Sequence, residues 1–364
     1  MRTSVSAALC AAALCSSTLT VAAPPTTYRV TEFGGDDTAT QVTFLGGINN
    51  LGAVTLTVIN YSAGTSRGFV WQAGQLTPLS IPDSACGAGA DAQAYGINDR
   101  GQVAGFITGA NGCVQSVLWQ GGKVVQVIGP PPPGYATVDV GTLNDFDLVA
   151  GTAWGIQSSV QTSFLWQNGK FTFLPGLPGS DPGGPGGTQI GGINQLGVAV
   201  GTSGSTTGQQ AVVWRNGSVT SLNVCPGAFN SYASSINTLG VIVGTCATYT
   251  FSPVIWQNGQ LSPLPIPANG PQSAEPATIN DFGQIVGASY PTGGELDDAG
   301  AALLWQGGTV YDLNTLIAPN DPLKPYIKLL RAGVITDTGI ILAGGEDSRV
   351  PNNESIGFML TPVP

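Results

Sequence analysis

The chain has 364 residues with 11 basic and 21 acidic side chains, no histidine, and a net charge of −10. The acidic balance excludes a nucleic-acid partner, because neutralising phosphates needs clustered Lys and Arg, and it argues against docking on an anionic membrane. Without histidine, Ser–His and Cys–His nucleophilic mechanisms and His-ligated zinc or copper sites are also excluded.

Residues 1–23 read as a secretory signal peptide. Arg2 is the only charge, AALCAAALC (7–15) is the apolar core, and Val21-Ala22-Ala23 places small residues at −3 and −1 before Pro24-Pro25. Cys10 and Cys15 each follow a Leu, a poor fit to a lipidation site. The apolar core is too short to span a bilayer, and no later stretch approaches the ~20 apolar residues a membrane helix needs. The expected location is extracellular, secreted or periplasmic, with no integral membrane segment. Removing 1–23 takes away only Arg2, leaving 341 residues with 10 basic and 21 acidic groups, a net −11. Four cysteines remain, Cys86, Cys113, Cys225 and Cys246, an even number that suggests disulfides behind a signal peptide.

The first element after the signal is YRVTEF (28–33), a lone strand with no hairpin partner before it. From there two landmarks alternate. One is INNLGAV (48–54), INDRGQVAG (97–105), LNDFDLVAG (143–151), INQLGVAVG (193–201), INTLGVIVG (236–244), INDFGQIVG (279–287) and ITDTGIILAG (335–344), with Asp147 replacing Gly and Thr336 replacing Asn in two variants. The other is a hairpin phrase such as FLWQNGKFTFL (164–174), centred on Trp71, Trp119, Trp166, Trp214, Trp256 and Trp305, with Leu360 in the seventh slot. The seven units lie 42 to 55 residues apart, the range of a four-stranded propeller blade.

Each unit predicts four strands. Strand A is short and rich in small residues (QAYGIN, TQIGGIN, YASSIN), as an innermost strand near a crowded axis requires. The Asn-x-x-Gly turn leads to strand B, and a variable loop leads to strand C, which ends at Trp. An Asn-Gly or Gly-Gly pair then makes a two-residue turn with both residues at positive φ, and strand D follows. The strands are apolar or small on both faces, as sheets covered on both sides should be. A Trp buries about 150–250 Å², or roughly 4–6 kcal/mol gross, so the recurring tryptophans are packing anchors.

The fold class expected is therefore all-β: a seven-bladed β-propeller of four-stranded antiparallel blades, a single domain over 24–364. Residues 28–33 complete the last blade and close the ring, removing the exposed edge of an open array. In such a blade the D–A connections and B–C loops share one face, which pairs Cys86 with Cys113 and Cys225 with Cys246. Each disulfide closes a loop of about 20–30 residues worth ~3 kcal/mol.

These residues resemble the HAF-repeat family of probable extracellular bacterial proteins, whose repeat is similar to G-I-N-D-x-G-Q-V-V-G, a spacer, and H-A-F-L-W-x-x-G. INDRGQVAG with VLWQGG and INDFGQIVG with LLWQGG carry the match, which covers nearly the whole mature chain. The His-Ala-Phe slot departs from it throughout, for example Arg67-Gly68-Phe69 and Thr162-Ser163-Phe164. The resemblance implies a secreted repeat protein and no particular chemistry.

Carboxylates are the remaining candidates for catalysis or metal binding. Glu295, Asp297 and Asp298 lie together in the sixth B–C loop, Glu346-Asp347 in the seventh, and Asp36-Asp37 after the first strand. A hard cation such as calcium would suit these groups; a solvated acidic loop is the plainer reading. The Asn and Asp at 98–99 and 280–281 are turn formers. The loops PPPPGY (130–135), PGLPGSDPGGPGG (175–187) and NTLIAPNDPLKPYIKLL (314–330) differ in every unit, and the last is expected to form a short helix capping the channel. The leading expectation is a non-enzymatic, monomeric binder of a protein or glycan through the loop-rich face, with no cofactor. Its rivals are a carboxylate-dependent, calcium-assisted hydrolase at the channel and a purely structural cell-surface protein. Acidic groups converging at the channel mouth mark the hydrolase, an aromatic-lined groove the glycan binder.

Overall fold

Seven four-stranded antiparallel sheets account for every strand of the computed structural model, which describes residues 27–34, 41–156, 161–180, 187–205, 208–222, 225–268, 272–291, 300–350 and 356–363. The signal segment lies outside them. Blade 1 runs Gln41–Ile48, Val54–Asn60, Thr65–Gln72 and Gln75–Pro78 as strands A to D, and each pairs with the next in sequence. The innermost strands of blades 2 to 7 are Asp91–Ile97, Tyr135–Leu143, Thr188–Ile193, Asn230–Ile236, Ser273–Ile279 and Ile327–Ile335.

Blade 7 takes three strands from the C-terminal part of the chain and its outer strand, Thr27–Phe33, from the N-terminal part, in register from Thr27 opposite Val363 to Phe33 opposite Gly357. The chain is a closed seven-bladed β-propeller.

The two-residue hairpins follow from their residues. Asn168-Gly169, Asn216-Gly217 and Asn258-Gly259 all sit at positive φ (50° and 78°, 50° and 77°, 53° and 75°), the geometry that matches the twist of the flanking strands. Blade 1 writes the same turn as Ala73-Gly74 and holds Ala73 at φ 48° without a Gly or Asn.

The core lies between the blades. Trp119, Trp166, Trp214, Trp256 and Trp305 are all under 5% exposed. Their indoles reach backwards: Trp119 donates to the Ser80 carbonyl (2.8 Å), Trp214 to Pro175 (2.8 Å) and Trp305 to Pro265 (2.6 Å). Each acceptor lies just beyond the outer strand of the preceding blade, so one side chain fills a blade-to-blade interface and satisfies its only polar atom there. Leu360, in the seventh slot, is fully buried.

Both disulfides form as the topology requires. Cys86 joins Cys113 (Cα–Cα 5.3 Å, 27 residues apart) and Cys225 joins Cys246 (6.0 Å, 21 apart). Cys86–Cys113 cross-links a D–A connection to the B–C loop of the same blade, and Cys225–Cys246 joins a D–A connection to the last residue but one of strand B (Ile242–Ala247), just short of the expected loop.

The 314–330 segment departs from expectation. It makes one 3₁₀ turn, Leu313–Leu316, then runs along the closing strand at the outer rim, and its last residues, from Ile327, already belong to the innermost strand of blade 7. Ala318 N–H donates to the Tyr28 carbonyl (2.8 Å), and Val30 N–H donates to Asp321 Oδ2 (2.9 Å). These bonds occupy the free edge of the closing strand, the edge that would otherwise template pairing with another chain. Tyr28, Leu313, Ile317 and Leu329 are buried together beneath it.

Candidate functional site at the central channel

Strand A forms the channel wall, so alternate residues of each innermost strand face the axis. At the A–B-turn end the wall is a double belt of hydrogen bonds. The first turn residue is a buried Asn in six blades, and its Oδ1 holds its own turn, as where Asn98 accepts from the N–H of Arg100 (3.2 Å) and Gln102 (2.9 Å). Its Nδ2 donates to the carbonyl of the equivalent residue one blade on: Asn49 to Asn98, Asn98 to Asn144, Asn144 to Asn194, Asn194 to Asn237, Asn237 to Asn280 and Asn280 to Thr336. The seventh junction lacks this bond because Thr336 has no amide to donate.

The second turn residue builds the other belt. The N–H of Asn50, Asp99, Asp145, Thr238, Asp281 and Asp337 each donates to a side-chain oxygen at the next blade's equivalent position, at 2.7–3.0 Å. Four aspartates, Asp99, Asp145, Asp281 and Asp337, thus converge on a mouth of about 230 Å³. Burial, with Asp281 and Asp99 adding repulsion, pushes the Asp337 carboxyl up, against the pull of the Asp281 N–H and the Asn50 amide. These carboxylates are committed to backbone donors: Asp99 takes both the N–H and the Nδ2 of Asn50, each at 2.8 Å. The residues expected to be turn formers, Asn98-Asp99 and Asn280-Asp281, are that and also the ties between blades.

The middle of the channel is a waist of small side chains, with Gly46, Gly141, Gly191, Ser234, Ala277 and Val334 among its lining and a space of about 420 Å³. Leu45, Tyr95 and the recurring isoleucines that precede the turns, such as Ile97 and Ile236, are the larger residues of that lining.

At the loop end the repeat breaks. The axis-facing residue four positions before each turn's Ile or Leu is Phe44 in blade 1, Gln93 in blade 2, Asp139 in blade 3 and Gln189 in blade 4. It is Tyr232, Glu275 and Arg331 in blades 5, 6 and 7. One layer of an otherwise repetitive wall carries seven residues in which only Gln recurs. Tyr232, Glu275 and Arg331 share a pocket of about 310 Å³ with Tyr290. Burial pushes the Glu275 carboxyl up, partly opposed by a hydrogen bond from Tyr290; the Tyr290 hydroxyl is pushed up to about 12, by burial first and the Glu275 charge second. In blade 3 burial pushes Asp139 up, and Trp154 Nε1 donates to its Oδ2 at 2.5 Å. Trp154 and the nearby Tyr95 are both more than a third exposed, and Tyr95 leans on Phe106 with ring centroids 5.5 Å apart.

Of the acidic residues singled out in the sequence, Glu295, Asp297 and Asp298 and the pair Asp36-Asp37 lie outside the described residues. Asp347 is buried and paired with Arg349, whose guanidinium also meets Glu32 of the closing strand at 2.5 Å. Arg349 holds the Asp347 carboxyl below its ordinary range. Among the described residues no three His, Cys, Asp or Glu side chains are grouped to hold a metal ion, and no helix is long and apolar enough to cross a membrane. The ring of strand-A residues was missed in the sequence. Its only linear signal is the irregular fourth residue before each turn's Ile or Leu.

No family model matches this chain, and no curated relative does. Among solved structures, YCF48 from Cyanidioschyzon merolae is similar over 92% of this chain and 99% of its own, at 9% identity and a TM-score of 0.50. The Aleuria aurantia lectin in complex with Fucα1-6GlcNAc is similar over 78% of this chain and 98% of its own (13% identity, TM-score 0.39). A gluconolactonase from Xanthomonas campestris matches over 78% and 93% (10%, 0.36). The likeness to YCF48 shows the propeller fold alone, and the other two superpose too loosely to carry an argument.

Proposed function

We propose that this protein is a secreted or periplasmic glycan-binding propeller without catalytic activity, taking its ligand at the loop-side mouth of the channel. The observation that carries this reading is the strand-A layer from Phe44 to Arg331, where side chains diversify while the layers below it stay small or repeat. Diversity confined to one accessible layer of a rigid ring is what a recognition surface needs. The chemistry suits a sugar. Phe44, Tyr232, Tyr95 and Trp154 offer aromatic faces for apolar C–H patches, and Gln93, Gln189, Asp139, Glu275 and Arg331 offer fixed donors and acceptors for hydroxyls. The two disulfides agree with an oxidising compartment, as does the resemblance to HAF-repeat proteins.

The test is a glycan-array screen of the purified mature protein, followed by calorimetric titration of any hit into Asp139→Asn and Tyr232→Ala. Each substitution is expected to weaken binding about tenfold or more, the loss of one charged hydrogen bond or one stacked ring. An array without hits, or hits indifferent to both substitutions, rejects the proposal.

A second reading is a carboxylate-dependent hydrolase. It is favoured by Asp139 and Glu275, two carboxyls raised by burial on the wall of one mouth, as a general acid requires. Turnover of chromogenic glycosides that is abolished in Glu275→Gln would support it over simple binding.

A further inference from the structure

The junction between blades 7 and 1 differs from the other six. It is the one the asparagine belt does not cross, because Thr336 stands in the slot, and it encloses a cavity of about 400 Å³. Leu45 of strand A in blade 1 and Val334, Leu342, Ala343 and Ile356 of blade 7 line the apolar body. Gly357 makes room for Leu45: a Cβ there would sit 2.6 Å from Leu45 Cγ. Phe44, half exposed, forms one lip. Arg331 contributes the only charged side chain of the lining, is exposed, and makes no ion pair among the described residues.

Such a lining offers water few hydrogen-bond partners, so an apolar occupant gains by displacing it. The volume is in the range of small-molecule sites, which are mostly apolar with a few fixed polar groups. A guanidinium at the mouth selects a planar anion, because its donors match the two oxygens of a carboxylate. We propose that the blade 7–blade 1 cavity binds a small anionic amphiphile, an aliphatic carboxylate whose headgroup pairs with Arg331 and whose chain lies against Leu45, Val334, Leu342 and Ile356. The site is distinct from the glycan reading: the two share the rim residues Phe44 and Arg331 and both border Gly333, and its occupant is lipid-like.

The experiment is calorimetric titration of the mature protein with decanoate and, separately, decan-1-ol, below their aggregation concentrations. Decanoate is expected to bind one per chain, at least about tenfold more tightly than the uncharged alcohol, from one charge-assisted contact. Arg331→Gln should remove that advantage and leave decanol binding unchanged. Gly333→Leu should weaken both, because Gly333 lines the cavity and a Cβ there meets nothing within 4 Å, so a leucine fits without displacing the fold and competes with the occupant for space. Melting curves identify any variant that fails to fold, in which case Arg331→Gln, at an exposed position, decides alone. Asp139→Asn, two blades from blade 1, should leave decanoate binding intact while weakening glycan binding, so either proposal can fail without the other. No decanoate binding, equal affinity for decanol, or an Arg331→Gln protein with undiminished affinity overturns the assignment.

Discussion

A single asparagine in this protein holds two structures at once. Asn237 Oδ1 accepts from Val241 N–H at 2.9 Å to shape its own turn, while Nδ2 donates to the Asn280 carbonyl at 3.1 Å to hold the next blade. Asn237→Ala strands a buried donor and a buried acceptor together, so it should cost about 1–3 kcal/mol, read as a lowered urea midpoint at unchanged m-value; a neutral substitution would mean that the belt contributes little. Glu275 works in the opposite sense. Burial raises its carboxyl, partly opposed by Tyr290, so the folded state holds the proton more tightly than the unfolded chain does. Stability therefore rises as pH falls through the folded value, and the penalty at neutral pH disappears below the unfolded value of ~4.3. Glu275→Gln should be more stable than the parent at pH 7, and the two proteins should converge in acid. Both residues sit in plain view in the sequence, yet only the hairpin and turn roles can be read there. Asn-Gly announces its backbone angles locally. The partner of Asn237 is 43 residues away, and the ring at the loop mouth exists only once seven strands stand around one axis.

At the scale of the blade, the repeated phrase specifies almost everything: strand order, turn type, the inward Trp and the placing of the cysteines. Pairing Cys86 with Cys113 needed only the rule that D–A connections and B–C loops share a face, and the structure joins them. Cys113→Ser with Cys86→Ser, or Cys225→Ser with Cys246→Ser, should each lower stability by ~3 kcal/mol in the chain-entropy model, measured by chemical denaturation against the oxidised parent. What the blade pattern does not specify is the insertion that interrupts it. NTLIAPNDPLKPYIKLL has the composition of a cap, and composition does not say which edge needs covering. The need arises from the closing strand, whose outer N–H and C=O groups find Asp321 and Ala318.

For the whole molecule, the seam between blades 7 and 1 is the one junction that the asparagine belt leaves unbridged among the described residues. Thr336→Asn would restore an amide donor facing the Asn49 carbonyl and complete the belt. A gain of about 0.5–1.5 kcal/mol is expected, the net worth of one buried hydrogen bond, seen as a higher melting temperature; an unchanged one would show that the second belt, through Asp337 and Asn50 (2.7 Å), already holds that junction. The circular layout itself was legible, because a stray strand at one end and a three-stranded unit at the other add up to one blade. The seam cavity was not, since it depends on how Leu45 and Gly357 meet.

The pairing of Thr27 with Val363 also sets an order of events. A chain that emerges N-terminus first exposes its first strand long before the partner of that strand exists, and bringing such distant segments together is the slow part of folding. Until Ile356–Val363 arrives, the protein is an arc with two raw edges, vulnerable to joining another arc of the same kind. The polypeptide stays an open thread of blades until then and becomes a ring only when its last strand arrives to act as the latch.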